Sequence, residues 1–194
     1  VRVSGAGIAN LRESGIQVET DLCLVEAETI NAGFLMRERA GRPLVSLKTA
    51  TTSDGRIATR TGASQWITGD GARAHAHLMR ATHDAIAVGL GTVAADNPSL
   101  TCRLPGMSHR SPLRVVFDSR LGIPIDAQLV TTARDVPTWI VSCDNVDDNR
   151  RTKLEDAGLR VLTVAETDGR VDPKAALSAL ASEGITRLMV EGGA

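Results

Sequence analysis

Aromatic side chains are scarce in this sequence of 194 residues, which has two Trp, two Phe and no Tyr. A domain of this length nevertheless buries roughly 70% of the surface that its unfolded chain exposes. Because 42% of the residues are apolar, the core must be built mainly from Val, Leu, Ile and Ala. The length itself suits one or at most two compact domains.

An excess of one charge sign is also lacking, because 22 basic side chains accompany 23 acidic ones and the net charge is -1. The two signs are interspersed, without the block of Lys and Arg that typically follows a nucleic-acid backbone. No run of about twenty apolar residues is present that could cross a membrane. The composition therefore argues against nucleic acid and membranes as partners.

Cysteine is equally rare. Cys23, Cys102 and Cys143 are far apart and form neither an even disulfide framework nor a Cys-x-x-Cys metal site, so we interpret them as small buried hydrophobic residues. With no apolar signal segment at the start, this usage predicts a cytoplasmic protein. The first residue is not Met, and the last four residues (EGGA) are typical of a turn that opens a helix. We therefore expect both ends to be cuts within a longer protein.

The spacing of apolar residues predicts alternating helices and strands. In the first forty residues we expect a short helix ending at Gly15, a strand near 16–18 and a helix over 24–39, before a boundary at 41–43. Strands are then predicted at 44–50, 85–88, 113–117, 138–141, 160–164 and 187–190, and helices at 68–80, 147–157 and 173–183. This alternation predicts an α/β fold in which helices cover both faces of a mostly parallel sheet.

Several predicted strands end in charged residues or glycine turns. Lys48 follows the first strand of this series, residues 89–92 (GLGT) and 118–119 (DS) follow two others, and Glu191 follows the last. Ligands of open parallel sheets bind beyond the carboxyl ends of the strands, so this edge is a candidate site. Lys48 is either a phosphate-binding or proton-donating group or a solvated strand end. The Gly89-x-Gly91 pair lacks the third glycine of a dinucleotide fingerprint and predicts a tight turn.

Two arginines and a tryptophan are further candidates. Arg80 and Arg103 flank the turn predicted at 96–98 (DNP), and a guanidinium suits a phosphate, although an arginine of this kind, taken alone, is more often a surface charge. Trp66 lies between a glycine-rich turn and a helix, where it either stacks on a planar ring or fills a surface gap.

Signatures of several other enzyme classes are missing. His75 and His77 are two apart on a predicted helix and face away from each other, and no His-Glu-x-x-His pattern occurs, so no metal site is expected. The absence of a Gly-x-Ser-x-Gly elbow and of a Walker sequence argues against serine hydrolases and P-loop NTPases.

The same segments resemble the reductase domain of the bifunctional deaminase/reductase of riboflavin biosynthesis. The matching stretches include 42–48 (RPLVSLK), 53–58 (SDGRIA), 62–68 (GASQWIT), 89–93 (GLGTV), 95–101 (ADNPSLT) and 190–193 (VEGG). Residues 5–34 look like the tail of the family's deaminase domain. The resemblance implies a dihydrofolate-reductase-like fold and a reductase that uses NADPH to convert the ribosyl group of 5-amino-6-(5-phosphoribosylamino)uracil to a ribityl chain.

The resemblance also implies site residues. Those expected to line the substrate are Ser64, Arg80, Leu100, Arg103 and Glu191, with the arginines near its phosphate. Those expected to contact NADPH are Thr51, Trp66, Thr92, Asp96 and Ser119, with Gly193 opening the cofactor's glycine loop. Thr51 stands where the family has a small Ala, so only its backbone is expected to take part. Lys48 is the candidate proton donor or sugar-orienting group, with Asp96 and Glu191 in support.

The expected organisation is a remnant of the deaminase domain and a linker at 1–41, followed by a reductase domain at 42–194 that is truncated at its C-terminus. The deaminase zinc site needs His-x-Glu and Pro-Cys-x-x-Cys, which are absent, so zinc is expected only in the missing domain. A homodimer or higher homo-oligomer is expected. The alternatives are a stand-alone type of reductase that acts on the diaminated pyrimidine, and a non-catalytic fragment or oligomerisation module.

Overall fold

The computed structural model describes residues 5–62 and 67–192. Three helices come first: α1 (Ala6–Glu13), α2 (Leu24–Ile30) and α3 (Ala32–Ala40). They are followed by β1 (Leu44–Lys48), α4 (Asp70–Ala81), β2 (Ala85–Gly89), α5 (Leu90–Asp96), a 3-10 turn (Ser108–Arg110), β3 (Leu113–Phe117), α6 (Gln128–Thr131) and β4 (Thr138–Cys143). The remaining elements are α7 (Asp148–Asp156), β5 (Arg160–Val164), β6 (Glu166–Thr167), β7 (Arg170–Val171), α8 (Pro173–Ser182) and β8 (Arg187–Glu191).

Six strands form one parallel sheet in the order β1-β8-β2-β3-β4-β5, which confirms the predicted parallel sheet. Strand β8 lies between β1 and β2, so the first and the last of these six strands in chain order are neighbours in the sheet. Strands β6 and β7 form a separate antiparallel hairpin. The carboxyl ends of β1, β8, β2 and β3 therefore lie side by side along one edge.

Helices cover both faces of the central strands, as predicted, whereas the edge strand β1 leaves Val45 and Leu47 exposed on one face. On one face, Ile86, Val88, Val116 and Ile140 of the strands pack in a cluster with Val93, Leu129 and Leu154 of α5, α6 and α7. On the other face, Ala85, Ala87, Val115 and Leu188 pack with Ala176 and Leu180 of α8. Successive strands from β2 to β5 are added in one direction across the sheet, and the chain then returns to β8. Because the crossovers are right-handed, α8, the helix of this return connection, lies on the opposite face.

Side-chain caps fix the starts of the two helices that the sequence predicted most closely. The Asp147 carboxylate accepts the backbone N–H of Arg150 at 2.8 Å, and the Asp172 carboxylate accepts that of Ala175 at 2.7 Å. Pro173 occupies the first turn of α8, where its missing N–H costs no hydrogen bond. None of the described helices combines the length and the apolar character that a membrane crossing requires.

The first forty residues differ from the prediction. No strand forms near 16–18, where Ile16 is 51% exposed and has no neighbouring strand to pair with. The helix predicted over 24–39 is divided at Asn31, whose side chain bonds back to the carbonyl oxygen of Ala27 at 2.8 Å. Cys23 is exposed, whereas Cys102 and Cys143 are buried as predicted.

Two differences lie near the candidate site. The turn predicted at Gly89-x-Gly91 is instead the start of α5, because Gly89 is the extended residue that precedes the first turn of that helix. The short helix α6 and the β6–β7 hairpin were not predicted, since elements of two to four residues carry too little periodicity to detect.

The carboxylate of Asp84 joins the start of β8 to β2. Its Oδ2 accepts the backbone N–H of Thr186 at 2.7 Å, the hydroxyl of Thr186 at 2.7 Å and the backbone N–H of Arg187 at 2.9 Å. Burial raises the pKa of Asp84, but these hydrogen bonds outweigh it and the pKa lies below its ordinary value.

We expect Asp84→Ala to lower the free energy of unfolding by about 1–2 kcal/mol at pH 7, because Asp84 is exposed and the bonds to it are partly screened. A folded-state pKa below the unfolded one means that this stability is present above the unfolded pKa of about 4 and is lost as the pH falls through the folded pKa. Urea unfolding from pH 7 to pH 3 measures it. Asp84→Asn is the control, because it cannot titrate; acid sensitivity equal to that of the wild type would contradict the assignment.

Candidate active site at the carboxyl edge of the sheet

The site begins with two charged residues at neighbouring strand ends. Lys48 ends β1 and Glu191 ends β8, and the two are aligned partners in the parallel register. Aligned residues of adjacent strands point to the same face of a sheet, so the ammonium and the carboxylate emerge on one side. Lys48 is half-buried, and it has no carboxylate within ion-pair distance among residues 5–62 and 67–192.

Arg80 of α4 holds the Glu191 carboxylate in a two-pronged ion pair. Its Nε donates to Oε1 at 3.2 Å and its Nη2 donates to Oε2 at 2.9 Å, and the two side chains are only 12% and 13% exposed. The Nη1 group of Arg80 donates to the carbonyl oxygen of Thr101 at 3.0 Å. One guanidinium thus connects α4, the end of β8 and the segment 99–103, in the fork geometry that suits carboxylates and phosphates.

The segment 99–103 contacts the buried, positively charged side chain of Arg114. Arg114 of β3 is fully buried and donates to the carbonyl oxygens of Val136 at 2.6 Å, Thr132 at 3.0 Å and Ser99 at 3.4 Å. Burial lowers the pKa of Arg114 to about 10, which leaves it charged at neutral pH. The segment therefore packs on a rigid support.

His77 of α4 contacts the same segment from the side. Its Nδ1 lies 3.2 Å from the carbonyl oxygen of Thr101, and its Nε2 lies 3.5 Å from Nε of Arg103. Burial, together with the positive charges of Arg80 and Arg103, lowers the pKa of His77, against an opposing effect of the Thr101 carbonyl and of Glu191.

A cleft of about 320 Å³ lies beside Lys48, between the end of β1 and α4. Its walls include Lys48, Thr49, Thr68, Ala72, His75 and Met79. We call it the Lys48 cleft. Since His75 lines it while His77 contacts Thr101, the two histidines lie apart, as their spacing predicts. Within the part of the chain that the structure describes, no cluster of His, Cys, Asp and Glu could hold a metal ion.

A second, open cleft of about 610 Å³ lies at the carboxyl ends of β2 and β3 and is bordered by the β6–β7 hairpin. Its walls include Gly91, Phe117, Ser119, Arg120, Gly169 and Arg170. We call it the hairpin cleft. The Ser119 hydroxyl accepts the backbone N–H of Val171 at 3.1 Å and so fastens the hairpin to the end of β3.

Asp118, which also lines the hairpin cleft, has a structural role. Only 2% of it is exposed, and it accepts the backbone N–H groups of Ile123 at 2.8 Å and Arg120 at 3.3 Å. These bonds fix the turn that carries Arg120 to the wall of the cleft. Asp118, which the sequence predicts as a charged strand end, therefore stabilises the turn that follows β3.

The predicted site residues fall into three groups. The structure brings together Lys48, Arg80 and Glu191, and joins Arg103 to them through His77. Ser119 lines the hairpin cleft, Thr92 is half-buried on α5, and Asp96 and Thr51 are exposed. The Leu100 side chain lies in the core, so only its backbone can face a ligand. Ser64, Trp66 and Gly193 lie outside the described residues.

Three residues of these sites were missed from the sequence as site residues: His77, Arg120 and Arg170. Arg120 lies directly after the strand end at 118–119, so extending the strand-end rule by one residue would have found it. Arg170 belongs to a hairpin too short to predict. His77 was considered only as a metal ligand, and nothing in its spacing pointed to the segment 99–103.

The sheet, its two helical layers and the basic carboxyl edge define an α/β domain of the dihydrofolate-reductase-like class, as predicted. Residues 43–194 match the RibD C-terminal domain family, and the chain belongs to that family. Membership in this family implies a nicotinamide dinucleotide as the class of cofactor.

Individual relatives agree with this membership. The riboflavin biosynthesis protein RibD of Bacillus amyloliquefaciens is 45% identical over 192 residues, which cover 99% of this chain and 51% of the relative. The solved structure of Acinetobacter baumannii RibD has a TM-score of 0.80 at 32% identity and covers 98% of this chain and 51% of that one.

The structure of a diaminohydroxyphosphoribosylaminopyrimidine deaminase/5-amino-6-(5-phosphoribosylamino)uracil reductase from Thermotoga maritima has a TM-score of 0.79 at 30% identity, over 99% of this chain and 51% of that one. The chain thus spans about half the length of the curated relatives it matches. The predicted family resemblance is confirmed.

Proposed function

We propose that this chain carries the reductase activity that reduces the ribosyl group of 5-amino-6-(5-phosphoribosylamino)uracil to a ribityl chain with NADPH, in riboflavin biosynthesis. The observation that carries the proposal is the convergence of Lys48, Glu191 and Arg80 at one sheet edge that also borders the hairpin cleft. The name of the Thermotoga relative contains this substrate, and the structural match to that relative covers 99% of this chain.

The substrate side needs a phosphate site. Arg80 donates three of its five N–H groups to Glu191 and Thr101, which leaves two for a ligand while the fork is held rigid. Arg103 is exposed and contacts His77, which shares the Thr101 carbonyl oxygen with Arg80, so it adds a second guanidinium to this region. We assign this pair to the phosphate of the substrate, with Glu191, Ser64 and the backbone at Leu100 completing the contacts.

The reaction needs a proton as well as a hydride. When bound, NADPH supplies the hydride to the sugar carbon. The ribosylamine opens as its ring carbon–oxygen bond breaks and a carbon–nitrogen double bond forms, and the ring oxygen requires a proton. Lys48 holds protons on Nζ in the cleft between β1 and α4, and we propose that it donates one or orients the opened sugar. Asp96 and Glu191 are the proposed supporting polar groups.

The hairpin cleft suits part of a dinucleotide. A Cβ built on Gly91 would meet nothing within 4 Å, so the backbone there is open to close approach by a ligand. Arg120 and Arg170 bring two guanidinium groups to its walls, and Phe117 offers an apolar surface. We propose that Ser119, Arg120 and Arg170 hold phosphate groups of NADPH, with Thr51, Trp66, Thr92, Asp96 and Gly193 as the other cofactor contacts.

If the two arginines select the additional phosphate of NADPH, replacing both with Ala is expected to raise the Kd for NADPH by about 10²–10⁴-fold, since each charge-assisted hydrogen bond contributes roughly 1.5–3 kcal/mol and two are lost. The Kd for NADH should change less than about threefold. Fluorescence titration of both nucleotides measures the ratio. Arg151→Ala, on the surface of α7, is the matched control. Equal losses for both nucleotides would contradict a role in selection.

The wider organisation is also a proposal. Residues 42–194 form the reductase domain, and residues 1–41 are the tail of a deaminase domain and its linker, whose zinc would lie outside this chain. The protein would act in the cytoplasm as a homodimer or higher homo-oligomer. The match of the family to 43–194 supports the boundary.

The proposed function is tested by titrating NADPH and NADH against two proteins: this chain, and a version extended past Ala194 with the corresponding segment of the Bacillus amyloliquefaciens relative. Saturable, NADPH-selective binding that strengthens with the extension is expected, followed by oxidation of NADPH when the phosphoribosylaminouracil is added. Absence of binding in both proteins would overturn the proposal. Faster turnover of the diaminated pyrimidine would replace the substrate by that of the stand-alone type of reductase.

A further inference from the structure

His77 lies beside the pair of Arg80 and Glu191, and the proposed mechanism does not use it. Its Nδ1 is 3.2 Å from the carbonyl oxygen of Thr101 and 3.3 Å from the backbone nitrogen of Arg103, and its Nε2 is 3.5 Å from Nε of Arg103. The ring is thus surrounded by one acceptor and two donors. A neutral imidazole has one donor and one acceptor, so these neighbours determine which nitrogen carries the proton.

Counting the contacts selects one tautomer. With the proton on Nδ1, the ring donates to Thr101 and accepts from the Arg103 side chain, and the contact of the Arg103 backbone N–H with Nδ1 is the one left unmade. With the proton on Nε2, the ring accepts only from that backbone N–H. Nε2 would then face a second donor, and the Thr101 carbonyl would face a lone pair. The Nδ1 tautomer satisfies two contacts against one.

The ring must also be neutral for this contact. An imidazolium would point an N–H of Nε2 at the guanidinium of Arg103. The charged groups around the ring are Arg80, Arg103 and Glu191, and burial with the two arginines lowers the pKa of His77. Neutral His77 is therefore the form present at pH 7.

We propose that neutral His77, protonated at Nδ1, is a positioning residue that holds the Arg103 guanidinium beside Arg80 to receive the phosphate of the substrate. The inference rests on the proposed function, because it is there that Arg103 contacts phosphate. Arg103 has no carboxylate partner among residues 5–62 and 67–192, so His77 is the side chain that restricts its long, flexible stem. Holding it in place lowers the entropy that ligand binding must remove.

The tautomer is tested directly by long-range proton–nitrogen NMR correlations of the ring at pH 8. The chain has four histidines, so the His77 signals can be assigned by their loss in His77→Asn. A spectrum with the proton on Nδ1 is expected. A proton on Nε2 would overturn the inference without affecting the proposed function, since the measurement uses no ligand.

Two substitutions distinguish the contact of Nε2 from the contact of Nδ1. His77→Gln can keep an acceptor at the position of Nε2, whereas His77→Asn keeps only a donor near Thr101. By calorimetry at pH 8, we expect His77→Asn to weaken ribose 5-phosphate binding about tenfold, as for the loss of one hydrogen bond to a charged group, and His77→Gln to stay within about threefold of the wild type. In the active extended protein the same change should appear in KM and leave kcat unaltered.

The double variant distinguishes positioning from a general structural effect. If His77 acts through Arg103, then His77→Asn added to Arg103→Ala should weaken binding less than about twofold further. His109→Asn, on the exposed 3-10 turn, is the control. Additive losses, or normal binding by His77→Asn, would overturn the inference alone. Failure of the wild-type chain to bind ribose 5-phosphate would overturn the proposed phosphate site and the inference with it.

Discussion

Replacing Lys48 with Met is expected to lower kcat by about 10²–10⁴-fold, the range by which a positioned acid accelerates proton transfer. Lys48 lines its cleft without an ion-pair partner in the described parts of the chain, so the proton on Nζ is available to a ligand. Met has a similar length and keeps the apolar contacts of the side-chain stem. The free energy of unfolding should therefore change by less than about 1 kcal/mol.

The measurement is the steady-state rate of NADPH oxidation in the extended protein, with urea unfolding in parallel. Lys174→Met, exposed on α8 and on the opposite face of the sheet, is the matched control and should retain full activity. A second variant, Lys48→Arg, keeps the charge but holds its proton too tightly to donate it. Recovery of KM but not of kcat in Lys48→Arg would indicate proton donation, and near-normal turnover in Lys48→Met would remove Lys48 from the mechanism.

Removing the guanidinium of Arg80 is expected to reduce kcat/KM by about 10²–10³-fold and to lower the free energy of unfolding by about 2–4 kcal/mol. The loss of stability follows because the Glu191 carboxylate, 13% exposed, would be left without its partner. The loss of activity follows because both the phosphate contact and the orientation of Glu191 would disappear.

The double variant Arg80→Met with Glu191→Leu separates the two effects. With no charge left unpaired, its stability should return to within about 1 kcal/mol of the wild type, while its activity should remain lost. The pair of Arg160 and Glu183, equally two-pronged but 48% and 34% exposed, is the control, and Arg160→Ala should cost only about 1 kcal/mol. A double variant with restored activity would show that the pair serves stability only.

The six sheet strands were predictable because strands buried on both faces are continuous apolar runs bounded by glycine, proline or charge. Residues 85–88 are of this kind, and residues 113–117 are apolar apart from the buried Arg114; the structure places strands at both. The strand proposed near 16–18 had the alternation of a strand but no partner. A strand exists only through its neighbours, and a local pattern does not contain them.

The site was predictable one residue at a time but not as a constellation. The strand-end rule found Lys48 and Glu191, since the rule depends only on where each apolar run stops. It could not pair Glu191 with Arg80, because that contact exists only if β8 enters the sheet between β1 and β2. Likewise the hairpin cleft needed the β6–β7 hairpin, whose strands have two residues each.

The position of β8 also determines when the site can exist during synthesis. A ribosome releases β1 well before β8, yet Leu44 of β1 pairs with Arg187 of β8, and β1 has no other neighbour among the described strands of the sheet. Such long-range pairing makes folding slow and leaves the edges of β1 and β2 open to other chains until the gap is filled. Since Glu191 arrives with the strand that closes the gap, the nascent domain acquires its ion pair and the connection between β1 and β2 in the same event.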